Sequence, residues 1–190
     1  MAKIYEIELE SISPMLHNGS QSVGMEKASM KKRGGNALEG DPEEWKKTIY
    51  YDKLIGVYLP AINVEAALIE GAKQFKITGR ATATKFFKSG VFILDDMLPF
   101  YIDGKIIKDL DDVSIDKRTV RNPATKMRNT RYRAIFKQWS SKFRIMISAD
   151  DYISGDLLKQ VFDYTGLYVG VGDYRPRFGR FKLKSIKMVE

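Results

Sequence analysis

"DLLKQVFDYTGLYVGVGDYRPRFGRFKLKSIKM", residues 156 to 188, holds a helix, a loop and a strand in a single run. Leu157, Leu158, Val161 and Phe162 recur at helical spacing, with Ser154 near the start and Gly166 read as the stop. The run ends in RFKLKSIKM, read as a closing strand. Between them Gly170, Gly172 and Gly179 crowd against Arg175, Arg177 and Arg180, with Tyr174 and Phe178 interposed. Glycine has no β-carbon, so its peptide approaches another backbone closely and adopts positive φ. A loop of this kind is expected to point main-chain N–H groups at phosphate oxygens. The arginines add forked donors suited to phosphate, and the two aromatics add flat faces for an unpaired base. The plainer reading is a tight turn with solvated arginines.

Working outward, KIYEIELESI (3–12) alternates, with Tyr5, Ile7 and Leu9 on one face and Glu6, Glu8 and Glu10 on the other. Ser13-Pro14 ends that strand. Residues 17–46 show neither strand nor helix period and read as a long loop. TIYYD and GVYL are short extended pieces. After Pro60, Val64, Ala67, Leu68, Gly71, Ala72 and Phe75 mark a helical face, with Asn63 as the expected N-cap. Residues 77–90 read as loop, VFIL (91–94) as a buried-type strand, and FYIDGKII (100–107) as a hairpin turning at Asp103-Gly104. Residues 113–136 suggest a pair of long extended arms broken at Asn122-Pro123. KFRIMIS (142–148) buries Phe143, Ile145 and Ile147. With the insertions removed, the order is strand, helix, strand, strand, helix, strand. It predicts an α+β, ferredoxin-like (RRM-like) βαββαβ domain. First and last strands are then neighbours, setting Glu6 and Glu8 opposite Lys182 and Lys184.

The 190 residues contain 32 Lys and Arg against 24 Asp and Glu, a formal net charge of +8, and no cysteine. Disulfides and thiolate metal sites are therefore excluded, and a reducing, cytoplasmic setting is expected. No leader pattern opens the chain, and no apolar run approaches the ~20 residues that cross a bilayer, so no membrane partner is expected. A polyanion is the expected partner class, because the positive charge is concentrated. From Lys117 to Arg144 there are ten Lys and Arg and no acid. Arg118, Arg121, Lys126, Arg128, Arg131 and Arg133 are the binding candidates there, interleaved with Tyr132, Phe136 and Trp139. The aromatics are expected as stacking platforms, with core as the alternative for Phe136 and Trp139. Lys31, Lys32 and Arg33 form a further basic cluster in the long first loop. Contacts of this kind follow the phosphate backbone and report little of base sequence.

His17, the single histidine, is read as a turn residue or a ligand-contacting donor, and its imidazole titrates near neutral pH. Asp41, in EGDPEE, is read as capping a helical turn, and Asp52, in YYDKLIG, is the next aspartate along the chain. No HExxH, P-loop, GxSxG or dinucleotide fingerprint occurs, and no cofactor is expected.

Gly170-Val171-Gly172 through Phe178-Gly179-Arg180, placed before the last strand of a βαββαβ order, resembles the glycine-rich loop of the RAMP superfamily of CRISPR-associated proteins. IELESISPMLHNG is similar to that superfamily's first strand and "sPLhiG" turn. YLPAINVEAALIEGAKQF is similar to its "IPGSSLKGALR" segment, with Ala61 where the pattern has glycine and Glu65 where it has lysine. The resemblance is to backbone subunits of CRISPR effector complexes, or to a divergent or stand-alone relative. It implies one domain over 1–190, with a core of 1–16, 57–97 and 141–190, a first-loop insertion at 17–56 and a basic thumb-like insertion at 98–140. It further implies non-enzymatic binding of single-stranded RNA or DNA, RNA foremost, within a homo-oligomer or ribonucleoprotein complex in antiviral defence. The alternatives are an endoribonuclease using Asp41 with a divalent ion, or His17, and a basic scaffold subunit that binds an acidic protein.

Overall fold

The computed structural model describes residues 2–19, 37–38, 42–79, 81–121, 126, 128–148 and 151–189. Its strands are β1 (Lys3–Ser11), β2 (Met15–Leu16), β3 (Ala37–Leu38), β4 (Tyr51–Asp52), β5 (Gly56–Pro60), β6 (Lys76–Thr78) and β7 (Ala81–Thr82) in the first half. β8 (Val91–Ile93), β9 (Met97–Ile102), β10 (Lys105–Ile106), β11 (Ser114–Arg121), β12 (Arg128–Phe136), β13 (Ser140–Ile147) and β14 (Phe181–Met188) complete the set. The helices are α1 (Glu44–Thr48), α2 (Ala61–Gly71), α3 (Thr84–Gly90) and α4 (Gly155–Tyr164).

The fold is α+β, built on a large antiparallel sheet in the order β14-β1-β13-β9-β5-β4, with β8 also pairing β13 and β10 pairing β9. The last strand thus lies beside the first, as a βαββαβ order requires. The period-two pattern of β1 works as anticipated: Tyr5, Ile7 and Leu9 are buried and the intervening glutamates are half-exposed. α2 buries Val64, Ala67 and Leu68, and α4 buries Leu158, Val161 and Phe162. The two helices touch each other. Ser154 caps α4 by accepting a hydrogen bond from the Leu157 amide. β9 begins at Met97 and pairs with both β5 and β13, so the main sheet reaches into the stretch read as the second insertion.

Several expectations are corrected. Asn63 lies inside α2, not at its cap. The helix starts directly after Pro60, which has no side chain able to cap it, and its first amide donates to the Asp96 carbonyl at 2.9 Å. Residues 77–90 are not all loop, since they complete the small β6–β7 ladder and form α3. The small polar residues there obscured an i,i+4 pair, Ala83 and Phe87, that anchors the segment in the core. Only Val91 of the VFIL segment is buried, because β8 is a short edge piece. Gly166 does not end α4. The chain continues through a π-turn, Thr165–Val169, and stops at Gly170, whose φ is +72°. Gly166 instead lies where a β-carbon would strike the Phe181 carbonyl.

The outer-face ion pairs exist in a different register. A bulge between Glu8 and Leu9 in the β1–β14 ladder shifts the pairing. Glu10 meets Lys182 at 3.0 Å, Glu8 meets Lys184 at 2.8 Å, and Glu6 turns to Lys142 on β13 at 3.1 Å. The Lys184 hydrogen bond holds the Glu8 carboxyl below its ordinary range. All three pairs are solvent-exposed and contribute little stability.

Candidate nucleic-acid interface

β11 and β12 form the long hairpin that the sequence suggested, pairing from Ser114 with Ile135 to Arg121 with Arg128. The hairpin belongs to a second, four-stranded sheet, in which β2 pairs the end of β12 at Ile135 and Phe136 and β3 pairs its start at Arg128 and Asn129. Alternation sorts its side chains onto two faces. Asp116, Arg118, Asn129, Arg131 and Arg133 share one face, and Lys117, Thr119, Arg121, Arg128, Thr130 and Tyr132 share the other.

The first face packs on the glycine-rich loop. Arg133 is buried and its Nε lies 3.1 Å from Asp173, close enough for an ion pair but not aligned as a hydrogen bond. The Arg118 guanidinium sits 4.7 Å above the Phe178 ring and donates twice to Asp116, at 2.6 and 2.7 Å. The Asp116 carboxylate strengthens the hold of Arg118 on its proton. Arg131 stands half-buried opposite Arg118. Arg118 and Arg133 are therefore not open cations. Each meets a carboxylate lying outside the acid-free run, one just before it and one from the loop.

The second face is different. Arg121, Arg128 and, at the tip, Lys126 are exposed. Lys117 lies 5.4 Å from the Tyr132 ring. Phe136 and Trp139 are core residues. The Trp139 indole N–H donates to the Ser13 carbonyl at 3.2 Å, and the ring stacks on Phe100.

The glycine-rich loop is built for close packing more than for donating amides outward. Gly170 N–H bonds the Thr165 carbonyl, Val171 the Gly179 carbonyl, Asp173 the Leu16 carbonyl and Gly179 the Pro14 carbonyl, all within 2.8–2.9 Å. Arg180 N–H donates to Ser13 Oγ at 3.0 Å. Gly172 and Gly179, at φ +80° and +75°, sit where a β-carbon would meet the Leu16 and Val171 carbonyls. The expectation that these amides face phosphate is thus corrected for most of them, and Phe178 is buried beneath Arg118 rather than free to stack. What the loop turns outward is Tyr174, Arg175, Arg177 and Arg180, all exposed. Asp173 was missed in the sequence. The signal was an acid inside an otherwise basic loop.

Lys31, Lys32, Arg33 and Asp41 lie outside the described residues. Asp52 accepts from the Leu54 and Ile55 amides at 2.8 and 3.1 Å, which makes it a turn-forming residue. His17 is fully buried, with its ring 4.7 Å from Phe136, 5.1 Å from Tyr50 and 5.6 Å from Phe100. Its Nδ1 accepts from the Tyr50 amide at 3.4 Å, and Nε2 has no partner among the described residues. Burial pushes its pKa down to about 3. A histidine so enclosed is neutral and reaches no substrate, so its candidacy as an acid-base catalyst is withdrawn.

That burial has a stability consequence. The folded pKa lies below the unfolded one, so the unfolded chain binds the extra proton, and stability present above pH 6.5 is lost as pH falls toward 3. Between pH 7 and pH 5 this amounts to about 2 kcal/mol for one histidine. Urea unfolding at those two pH values is expected to show that loss in the native chain and to show most of it gone in His17→Leu. Equal slopes in both chains would contradict the assignment.

No protein-family model matches the chain, and no curated protein matches it. Among solved structures, it is similar to a chain in the cryo-EM structure of the Type III-B Cmr-beta bound to cognate target RNA, with a TM-score of 0.60 and 13% identity. The match covers 100% of this chain and 61% of that one. The likeness is one of fold. No helix among the described residues is long and apolar enough to cross a membrane.

Proposed function

We propose that this chain is a non-enzymatic, RAMP-type protein that binds single-stranded nucleic acid, RNA foremost, as a subunit of a cytoplasmic ribonucleoprotein assembly in antiviral defence. One observation carries the reading. The arginine-rich loop is latched through Asp173 and Phe178 to one face of the basic hairpin. Arg175 and Arg177 are thus joined in one unit to an arm that carries Arg121 and Arg128 on its other face and Lys126 at its tip, and a strand that meets both sets crosses the hairpin's edge. Exposed cations supported on a rigid strand pair and a tied-down loop suit a flexible polyanion, because little ordering remains to oppose binding. Similarity in fold to a chain of an RNA-bound complex supports the same reading. The internal pairs formed by Arg118 and Arg133 give those two arginines a supporting role, holding the loop against the hairpin.

The test is retardation of labelled single-stranded RNA and DNA of one sequence, with and without Mg²⁺. The expected result is retention of intact RNA, weakened steeply by salt, with similar affinity for unrelated sequences. Cleavage products would replace this reading with the endoribonuclease alternative. Absence of retention at low salt would leave the protein-binding scaffold.

A further inference from the structure

The glycine-rich loop also closes an open groove of about 420 Å³, a size that suits a small ligand. One wall comes from the end of α2, with Glu70, and from the 3-10 turn Ala72–Gln74 that follows it, with Gln74. A second comes from α4 and the π-turn. Tyr164 is braced edge-on by Phe75 at 5.9 Å, and Tyr168 leans on it at 4.8 Å. Tyr168 is the outermost ring of that series and is 63% exposed. The third wall is Arg175 and Pro176. One guanidinium nitrogen of Arg175 donates to the Gly170 carbonyl at 3.4 Å, which orients the fork.

These groups match one chemistry. An exposed aromatic in a groove that a proline also lines offers a flat ring a surface to lie on. A carboxylate accepts only, and a side-chain amide both donates and accepts. Guanine is the base whose Watson–Crick edge sets two adjacent donors, N1–H and N2–H, beside an acceptor, O6. Adenine presents an acceptor at N1, cytosine presents one at N3, and uracil has a single donor between two acceptors. Glu70 Oε2 already accepts from Lys73 at 2.6 Å, but each carboxylate oxygen accepts more than one bond. Arg175 supplies the forked contact that a phosphate takes.

We propose that this groove seats one guanine nucleotide. The base lies against Tyr168, its Watson–Crick edge meets Glu70 and Gln74, and its phosphate meets Arg175. Where the guanine belongs to a bound strand, the inference rests on the function proposed above; where it is a free nucleotide, it stands without it.

Titrating the full chain with GMP, AMP, CMP, UMP and guanosine, followed by tyrosine fluorescence, tests the free-nucleotide source. Anisotropy with a uridine oligonucleotide, against the same oligonucleotide carrying a single guanosine, tests the strand source. GMP or the guanosine-bearing strand is expected to bind at least about fivefold more tightly than its counterparts, as a bidentate base contact implies. Glu70→Gln reduces that preference to less than about twofold, and Arg175→Ala lowers GMP affinity to that of guanosine. Both substitutions are at the surface, and thermal melting confirms that the variants fold. Preference in the strand alone assigns the guanine to RNA, and preference with free GMP assigns it to a nucleotide. No guanine preference in either format, with RNA still retained, overturns the groove assignment and leaves the RNA reading intact. Loss of all RNA retention together with a GMP preference overturns the RNA reading alone.

Discussion

A chain carrying Arg121→Ala, Lys126→Ala, Arg128→Ala, Arg175→Ala and Arg177→Ala is expected to bind single-stranded RNA about two to three orders of magnitude more weakly than the native chain at ~0.15 M salt. Each phosphate contact on a single strand releases about 0.7 of a counterion, so five lost contacts also flatten the log-log salt dependence by about 3.5. All five side chains are exposed, and the two carboxylate-paired arginines, Arg118 and Arg133, are left in place. The variant should therefore melt within a few degrees of the native chain. Fluorescence anisotropy across a salt series reads both quantities. Unchanged affinity would remove the hairpin and loop from the interface. A loss confined to particular base sequences would show that these cations read bases instead of the backbone. Restoring Arg175 and Arg177 alone should recover about two-fifths of the lost slope, because counterion release adds over separate contacts.

The parts of this fold legible in the sequence are those whose determinants are local. The alternation of β1, the helical spacing of Leu158, Val161 and Phe162, and the Asp103-Gly104 turn are each written within a few residues. Both turn residues adopt positive φ, +50° and +77°, as a tight two-residue hairpin demands. The hairpin arms and the exposed loop arginines were visible for the same reason, since runs of charge declare solvent contact. What escaped depends on partners distant in sequence. Arg133 looks like any basic residue of its run until Asp173, forty positions on, is brought beside it. His17, adjacent to a turn, reads as accessible, and only the return of β9 and β12 encloses it with Phe100 and Phe136. The glycines mislead for a related reason. Their composition suits a phosphate cradle, yet the carbonyls they approach belong to this chain, at Leu16, Val171 and Phe181. Close backbone approach is the property glycine confers, and sequence does not say which backbone approaches.

Gly179→Ala is expected to lower stability by about 3 to 5 kcal/mol, which in a chain of this length is a fall in melting temperature of about 6 to 20 °C. Gly179 has a φ of +75°, where an L side chain is strained, and its added methyl would overlap the Val171 carbonyl. Relief requires parting the two strands of the loop, and that breaks the bond from Val171 N–H to the Gly179 carbonyl and loosens the bond from Gly179 N–H to Pro14. Gly104→Ala separates the two contributions. Gly104 has nearly the same φ, +77°, but nothing lies within 4 Å of the added methyl. Its cost is the left-handed penalty alone, about 1 kcal/mol, or 2 to 4 °C. The difference between the two melting temperatures thus measures the contact between the loop's own strands. Similar shifts in the two variants would mean that the loop yields without resistance. It would then not be the rigid support on which Arg175 and Arg177 are held toward a phosphate chain, and the Gly179→Ala chain would retain its RNA affinity. With a rigid loop, affinity falls in step with stability, and restoring glycine restores both.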